Sequence, residues 1–214
     1  MKSKKFVIVD YGVGNMRSLL RAFEYFGADI VVSEDPKTIS AADAMIMPGD
    51  GAFKTGMDGL AVRKLTQVVL DFAKAGKPTL GICLGAQILF SWGFEFGKHK
   101  GLDLIGGRVV KFPKLDKEKI PQIGWNSLEL PARKTWKNTI LSGIKPGSDV
   151  YFIHSYIMMP EKQSDILAYT YWGGVKFCSV VFRGYTLGTQ FHPEKSGVVG
   201  LQVINNFIKI TKNA

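Results

Sequence analysis

Four short apolar runs in the first half of the chain, each closed by a turn, constrain the fold more than any other feature. KKFVIVD (4–10) is apolar and β-branched through its middle, as a strand buried on both faces must be. YGVGN (11–15) turns the chain, and Asn15 stands where a helix N-cap belongs. Met16, Leu19, Leu20, Phe23 and Phe26 then recur at helical spacing, and Gly27 ends the pattern. DIVVS (29–33), DAMIMPGDG (43–51) and KPTLGIC (77–83) read as three further strands. Leu65, Val68, Val69 and Phe72 mark a helix before the last of them, ended by Gly76. GAQILFSW (85–92) reads as a helix that starts directly from the fourth strand. Strands alternating with helices predict an α/β fold: an open, mostly parallel central sheet with helices on both faces.

The second half changes character. GGRVVKF, WNSLEL, DVYFIHSYI, DILAYTYW, FCSVVF and YTLGTQF are β-rich and separated by short turns, which predicts antiparallel additions in the C-terminal half. Val203, Ile204, Phe207 and Ile208 share one face of a closing helix. With no repeat and no linker, residues 1–214 read as a single domain, and its 46% hydrophobic content is enough to build a core without staples. Two cysteines, Cys83 and Cys178, are too few for a secreted disulfide scaffold and fit a reducing cytoplasm. No apolar run approaches the roughly 20 residues of a membrane span. MKSKKFVIVD reads as a first strand rather than a signal peptide.

The 28 Lys and Arg exceed the 18 Asp and Glu by 10, the formal net charge. A basic chain invites a nucleic-acid reading, but the lysines do not cluster. The densest stretch, KFPKLDKEKI (111–120), intersperses Asp116 and Glu118 and reads as a solvated loop. No zinc-finger spacing, stacking motif or basic heptad is present. A basic face that meets an acidic partner protein or a phosphorylated substrate stays open as the alternative.

The chemistry is carried by GICLGAQ (81–87). Gly81-Ile82-Cys83-Leu84-Gly85 has the form G-x-C-x-G between a strand and a helix, the thiol version of a nucleophile elbow. Such a turn strains the central residue and projects its sulfur into a cleft. The flanking glycines remove side chains that would collide, and the helix start favours thiolate. The Leu84 N–H is placed to donate to an oxyanion. Cys178, in KFCSVVF, has no such context and reads as structural.

A thiolate needs a base that later protonates the leaving group. Of His99, His154 and His192, only His192 is followed at i+2 by a carboxylate, Glu194, in QFHPEKS (190–196). In extended chain, i and i+2 point the same way, so Glu194 can orient the imidazole. His99, in GKHKG, reads as solvated. Pro48-Gly49-Asp50-Gly51 follows the third strand, and exposed backbone N–H groups in this turn would complete the oxyanion hole. Two phosphate-loop readings fail. Met57 stands where a Walker A lysine is required after Gly51 and Gly56, and Arg17 replaces the third glycine of a dinucleotide fingerprint begun by Gly12 and Gly14. No metal-ligand spacing and no cofactor motif remain.

GICLGAQ with QFHPEKS resembles the class I (triad) glutamine amidotransferases. From VDYGVGN through PGDGAF, GLDLIGGRVVKF, PQIGWN and YFIHSY, nearly the whole chain resembles the glutaminase subunits of imidazole glycerol phosphate synthases. The resemblance implies glutamine hydrolysis through a γ-glutamyl thioester on Cys83, with His192 and Glu194 completing the triad and backbone near Gly51 and Leu84 holding the oxyanion. It implies that Gln87, Ser155 and Tyr156 bind the glutamine backbone groups. It further implies a heterodimer with a (β/α)8-barrel cyclase subunit that receives the ammonia for histidine biosynthesis, with Asn15, Trp125, Asn126, Tyr151 and Lys195 at the interface. A paralogous glutaminase feeding a different synthase, such as a sugar amidotransferase of surface polysaccharide, stays open.

Two positions depart from the family pattern. Asp50 replaces a residue that is usually apolar, and Ala86 replaces a methionine. A carboxylate aimed at the oxyanion would oppose the charge developing there, so the Asp50 side chain is expected to point away from the site, and Asp50 to alter how this strand responds to a partner. Ala86 carries less packing volume, with no functional consequence read from it.

Overall fold

A computed structural model describes residues 3–115 and 118–214. Asp116 and Lys117, in the densest basic stretch, lie outside the described residues. The chain opens with β1 (Lys5–Val9), α1 (Met16–Glu24), β2 (Asp29–Ser33), α2 (Pro36–Ala41), β3 (Ala44–Met47), α3 (Phe53–Val62), α4 (Thr66–Lys74) and β4 (Thr79–Ile82). It continues through α5 (Leu84–Gln87), β5 (Phe90–Gly93), β6 (His99–Lys100), β7 (Ile105–Lys111), β8 (Gln122–Ser127), β9 (Asp149–His154) and β10 (Tyr156–Pro160). It closes with β11 (Ile166–Trp172), β12 (Val175–Arg183), β13 (Thr186–Thr189) and α6 (Gly197–Asn213).

Eleven strands form one sheet, ordered β2-β1-β3-β4-β13-β12-β10-β7-β5-β6, with β11 beside β12. The five strands from β2 to β13 are parallel. Alternation along β1 divides the core. Phe6 and Ile8 pack with Leu19 and Phe23 of α1 and Phe207 of α6. Val7 and Val9 pack with Ile39, Leu60 and Val69 of α2, α3 and α4. Helices therefore cover both faces, as a parallel sheet requires. Asn15 caps α1, its Oδ1 accepting from Ser18 N at 3.4 Å.

The structure corrects four local readings. GAQILFSW is not one helix: α5 is a single turn, and the same apolar run continues as β5. Leu89 O accepts from the N–H groups of Leu104 and Ile105, and β5 pairs with β7, so strand pairing overrides local helical preference. YTLGTQF is not simply an antiparallel addition, because β13 runs parallel to β4 inside the central sheet while pairing antiparallel with β12. DVYFIHSYI divides at Ser155: β9 pairs only with β8 in a separate two-stranded sheet, whereas β10 joins the main one. His99 is not a solvated loop residue. It lies in β6 and pairs with Gly93 of β5, and its Nε2 is buried without a hydrogen-bond partner among the described residues. The helices α2 and α3 leave no clear apolar stripe in the sequence, since the packed face of α3 is partly glycine; a Cβ on Gly59 would lie 2.1 Å from Tyr11 O.

The carboxyl ends of β1, β3, β4 and β13 are neighbours. Tyr11, Asp50, Cys83 and His192 follow them within a few residues. Ligand chemistry in open α/β sheets gathers at this edge.

Candidate active site

Cys83 links β4 to α5 with φ 51° and ψ −111°, a strained conformation for a residue with a side chain. The surroundings enforce it. A Cβ on Gly81 would lie 2.6 Å from Gly85 O, and one on Gly85 would lie 2.0 Å from Met47 O. Only glycine fits at either position, so the elbow is locked between β3 and β4. Because α5 is one turn long, it offers first-turn N–H groups, Leu84 foremost, rather than a long dipole. Cys83 N–H donates to Thr189 O at 2.7 Å, tying the elbow to β13. Its sulfur lies 3.8 Å from Ile153 O and accepts from Gln190 Nε2 at 3.8 Å. Ala86 is fully buried; a Cβ on Gly188 would lie 2.9 Å from its own, so the site has closed around the small residue.

His192 enters from the far end of the chain. Its Nδ1 is 2.8 Å from Glu194 Oε1. The pair is not formed in extended chain as i, i+2 spacing predicts: Pro193–Lys195 is a 3-10 turn, which brings the carboxylate back to the ring. Both side chains are almost wholly buried. Burial works to lower the His192 pKa, but the neighbouring Cys83 sulfur and Glu194 carboxylate outweigh it and raise it to about 10. At Nε2 no hydrogen bond of standard geometry forms among the described residues. That nitrogen is buried and within the influence of the Cys83 sulfur.

Asp50 corrects an expectation. Its side chain does not point away: Oδ1 lies 3.6 Å from His192 Nε2, and the residue lines the same cavity as Cys83. The turn carrying it is pinned from below, because the fully buried Tyr11 donates its hydroxyl to Pro48 O. Burial, then the charges of Cys83 and Asp50, push the Tyr11 phenol pKa up, so it stays a donor.

The cavity has a volume of about 490 Å³ and is lined by Asp50, Gly51, Cys83, Gln87, Glu95, Ile153, His154, Ser155, Tyr156 and Lys195, among others. Gly51, Gln87, Ser155 and Tyr156 are thus brought to one space with the thiol. Gln87 spends its amide N–H groups on Tyr156 O at 3.1 Å and Gln190 Oε1 at 3.2 Å, leaving its carbonyl for a ligand. Trp125 and Tyr151 lie across β8 and β9, ring centroids 6.1 Å apart, outside the cavity. Asn126 accepts from Gln122 Nε2 at 2.8 Å, and Asn15 is exposed at the start of α1. Cys178 is buried and its thiol pKa is raised by that burial, in keeping with a structural residue.

Four site residues escape a reading of the sequence. Tyr11 opens the YGVGN turn and Gln190 opens QFHPEKS, where nothing in the residues themselves announces a role. Ser196 donates to His192 O at 2.6 Å and accepts from Tyr151 N at 2.9 Å. Glu95 brings a carboxylate to the cavity and accepts from Phe53 N at 2.7 Å. Position i+4 from His192 hints at Ser196; nothing in SWGFEFG marks Glu95. Among the described residues no group of three His, Cys, Asp or Glu side chains is placed to hold a metal ion, and no helix is long and apolar enough to cross a membrane.

Residues 7–210 match the family described as glutamine amidotransferase class-I, and the chain belongs to that class of glutaminases. The fold agrees: the structure of PurLQS from Thermotoga maritima superposes with a TM-score of 0.72 at 18% identity, over 97% of this chain and 99% of that one. Within the class, the similarity is to imidazole glycerol phosphate synthase subunits HisH, which places the chain among the amidotransferases of histidine biosynthesis. The HisH 1 subunit of Legionella pneumophila strain Paris is 46% identical over 208 residues, 95% of this chain and 98% of the relative. The HisH subunit of Methanosarcina mazei is 43% identical over 209 residues, 97% of this chain and 99% of the relative.

Proposed function

We propose that this chain, a single amidotransferase domain over residues 1–214, hydrolyses glutamine through a Cys83-His192-Glu194 triad and delivers the ammonia to a (β/α)8-barrel cyclase subunit. That subunit makes imidazole glycerol phosphate and aminoimidazole carboxamide ribotide, in the cytoplasm, where Cys83 and Cys178 remain reduced. The observation that carries the reading is a strained, glycine-locked thiol sharing one cavity with an imidazole oriented by a buried carboxylate.

The Cys83 sulfur attacks the side-chain amide carbon of glutamine. Negative charge moves onto the amide oxygen, which the N–H groups of Gly51 and Leu84 receive; losing one such donor costs about 100- to 1,000-fold in rate. His192 Nε2 then gives its proton to the amide nitrogen, the C–N bond breaks, and ammonia leaves a γ-glutamyl thioester. Water adds to the thioester as Nε2 takes its proton, and glutamate departs with the thiol restored. Gln87, Ser155 and Tyr156 hold the substrate's backbone groups, and Glu95 offers its carboxylate to the α-ammonium.

The partner docks on the β8–β9 face. Ile123, Trp125 and Ile153 are exposed there on one side of the small sheet, beside Tyr151. Asn126 lies in the same strands, and Asn15 and Lys195 extend the surface. Co-purification with the cyclase, followed by glutamine-dependent turnover of its nucleotide substrate, tests the reading. Activity is expected with the native chain and none with Cys83→Ala. A folded chain that hydrolyses no glutamine, alone or with the cyclase, would overturn it. Success only with another synthase would select the paralogous alternative.

A further inference from the structure

Asp50 is the acidic residue of the cavity that the thioester route leaves without a task. Nε2 of His192 is buried, makes no hydrogen bond of standard geometry among the described residues, faces the Cys83 sulfur, and has the Asp50 carboxylate 3.6 Å away. The groups facing this ring are few. Cys83 approaches from the elbow and Asp50 from the β3–α3 turn. Glu194 holds the opposite nitrogen, and Lys195 stands on the same turn. From β9 comes His154, which burial keeps neutral, its pKa lowered to about 4. Glu95 lies across the cavity and Tyr11 beneath the turn, protonated.

The balance among these groups changes during the reaction. Before attack, the thiolate is an anion beside the imidazolium. Once the thioester forms, that anion is gone, and Asp50 is the anion left at Nε2. Hydrolysis requires Nε2 without its proton. A carboxylate at this distance stabilises the protonated ring.

We infer that Asp50 is a positioning residue that favours re-protonation of His192 Nε2 from solvent in the acyl-enzyme, after the first proton has left with ammonia, and so restrains thioester hydrolysis near neutral pH. The inference rests on the reading of His192 as the proton carrier. Half of the Asp50 side chain is exposed (46%), so the restraint is screened by salt.

The isosteric Asp50→Asn removes the charge and keeps the turn. Single-turnover hydrolysis of the γ-glutamyl thioester, loaded rapidly and followed against pH, is expected to show an acidic limb lower by about one pH unit in Asp50→Asn. Below the limb the rate rises by up to about tenfold, and on the alkaline plateau the two proteins converge. In about 1 M salt the native profile moves toward that of the variant. Coincident profiles at low salt would overturn the inference. A second measurement needs no activity: NMR titration of the His192 ring in Cys83→Ala, where no thiolate contributes, with and without Asp50→Asn. The added substitution is expected to lower the midpoint by about one pH unit, and equal midpoints would sink the proposal. If native protein hydrolyses no glutamine, the proposed function fails, while this titration still judges the role of Asp50.

Discussion

His192 N–H donates to the carbonyl of Tyr151 at 3.0 Å, so the imidazole's backbone hangs from the strand that carries the exposed β8–β9 face. Ser196 closes the loop, bonding Tyr151 N and His192 O with one hydroxyl. Ile153, two residues along the same strand, places its carbonyl 3.8 Å from the Cys83 sulfur. A partner pressing on this face would therefore touch the scaffold of both Cys83 and His192.

Ser196 is buried, and Ser196→Ala strands the Tyr151 N–H without an acceptor. The expected cost is about 1–3 kcal/mol, with a fall in kcat larger than any change in KM. Thermal denaturation with steady-state kinetics checks it. Unchanged stability and kcat would show that the hydroxyl positions nothing.

Gly85→Ala is expected to destroy the elbow, because the new Cβ would overlap Met47 O at 2.0 Å and lie 2.8 Å from Pro48 O, both backbone atoms. The loss is at least about 3 kcal/mol, among the severe single substitutions, and glutaminase activity disappears. Gly27→Ala meets no atom within 4 Å but must hold a left-handed φ of +67°, so it is expected to cost about 1–2 kcal/mol of backbone strain, less than Gly85→Ala, and to keep activity. Denaturant unfolding of the two variants makes the comparison.

Two histidines impose opposite pH windows on stability. The His192 pKa is raised from 6.5 to about 10, so its contribution is fully present below pH 6.5 and is lost as pH rises toward 10. Glu194→Gln shrinks that contribution, and the stability gap between native and variant is expected to narrow over that range. The His154 pKa is lowered from 6.5 to about 4, chiefly by burial, so stability is complete above pH 6.5 and falls as pH drops toward 4. His154→Gln is expected to flatten this acidic limb. Unfolding free energies from pH 4 to 10 test both signs.

Ile123 is 55% exposed and pairs with Ile153 across β8 and β9. Ile123→Glu or Trp125→Ala is expected to weaken cyclase binding by at least about tenfold, the loss typical of a central apolar contact. Thermal stability should hardly move, since these side chains bury little within the chain. Calorimetric titration of each variant decides, and native affinity in both would move the interface elsewhere.

The local chemistry is legible in the residues themselves. G-x-C-x-G after an apolar run demands a tight strand-to-helix turn, and the collisions awaiting a Cβ at Gly81 and Gly85 show why only that pattern serves. The inner parallel strands β1, β3 and β4 announce themselves as short apolar runs, because burial on both faces leaves no polar alternation. His192 and Glu194 are neighbours in sequence, although a 3-10 turn rather than extended chain joins them.

What the sequence does not give depends on chain segments that meet only after folding. Whether ILFSW continues a helix or becomes β5 is decided by pairing with β7, not by its own preference. Glu95 reaches the cavity through a bond to Phe53, 42 residues earlier in the chain, and Gln190 meets the sulfur of Cys83 from 107 residues away. Asp50 shows the division best. Its charge is plain in the sequence and argues for turning outward, yet β3 and β13 lie on either side of β4 and set its carboxylate against His192. Residue type fixes which chemistry is possible, while strand order fixes which groups share the space where it happens.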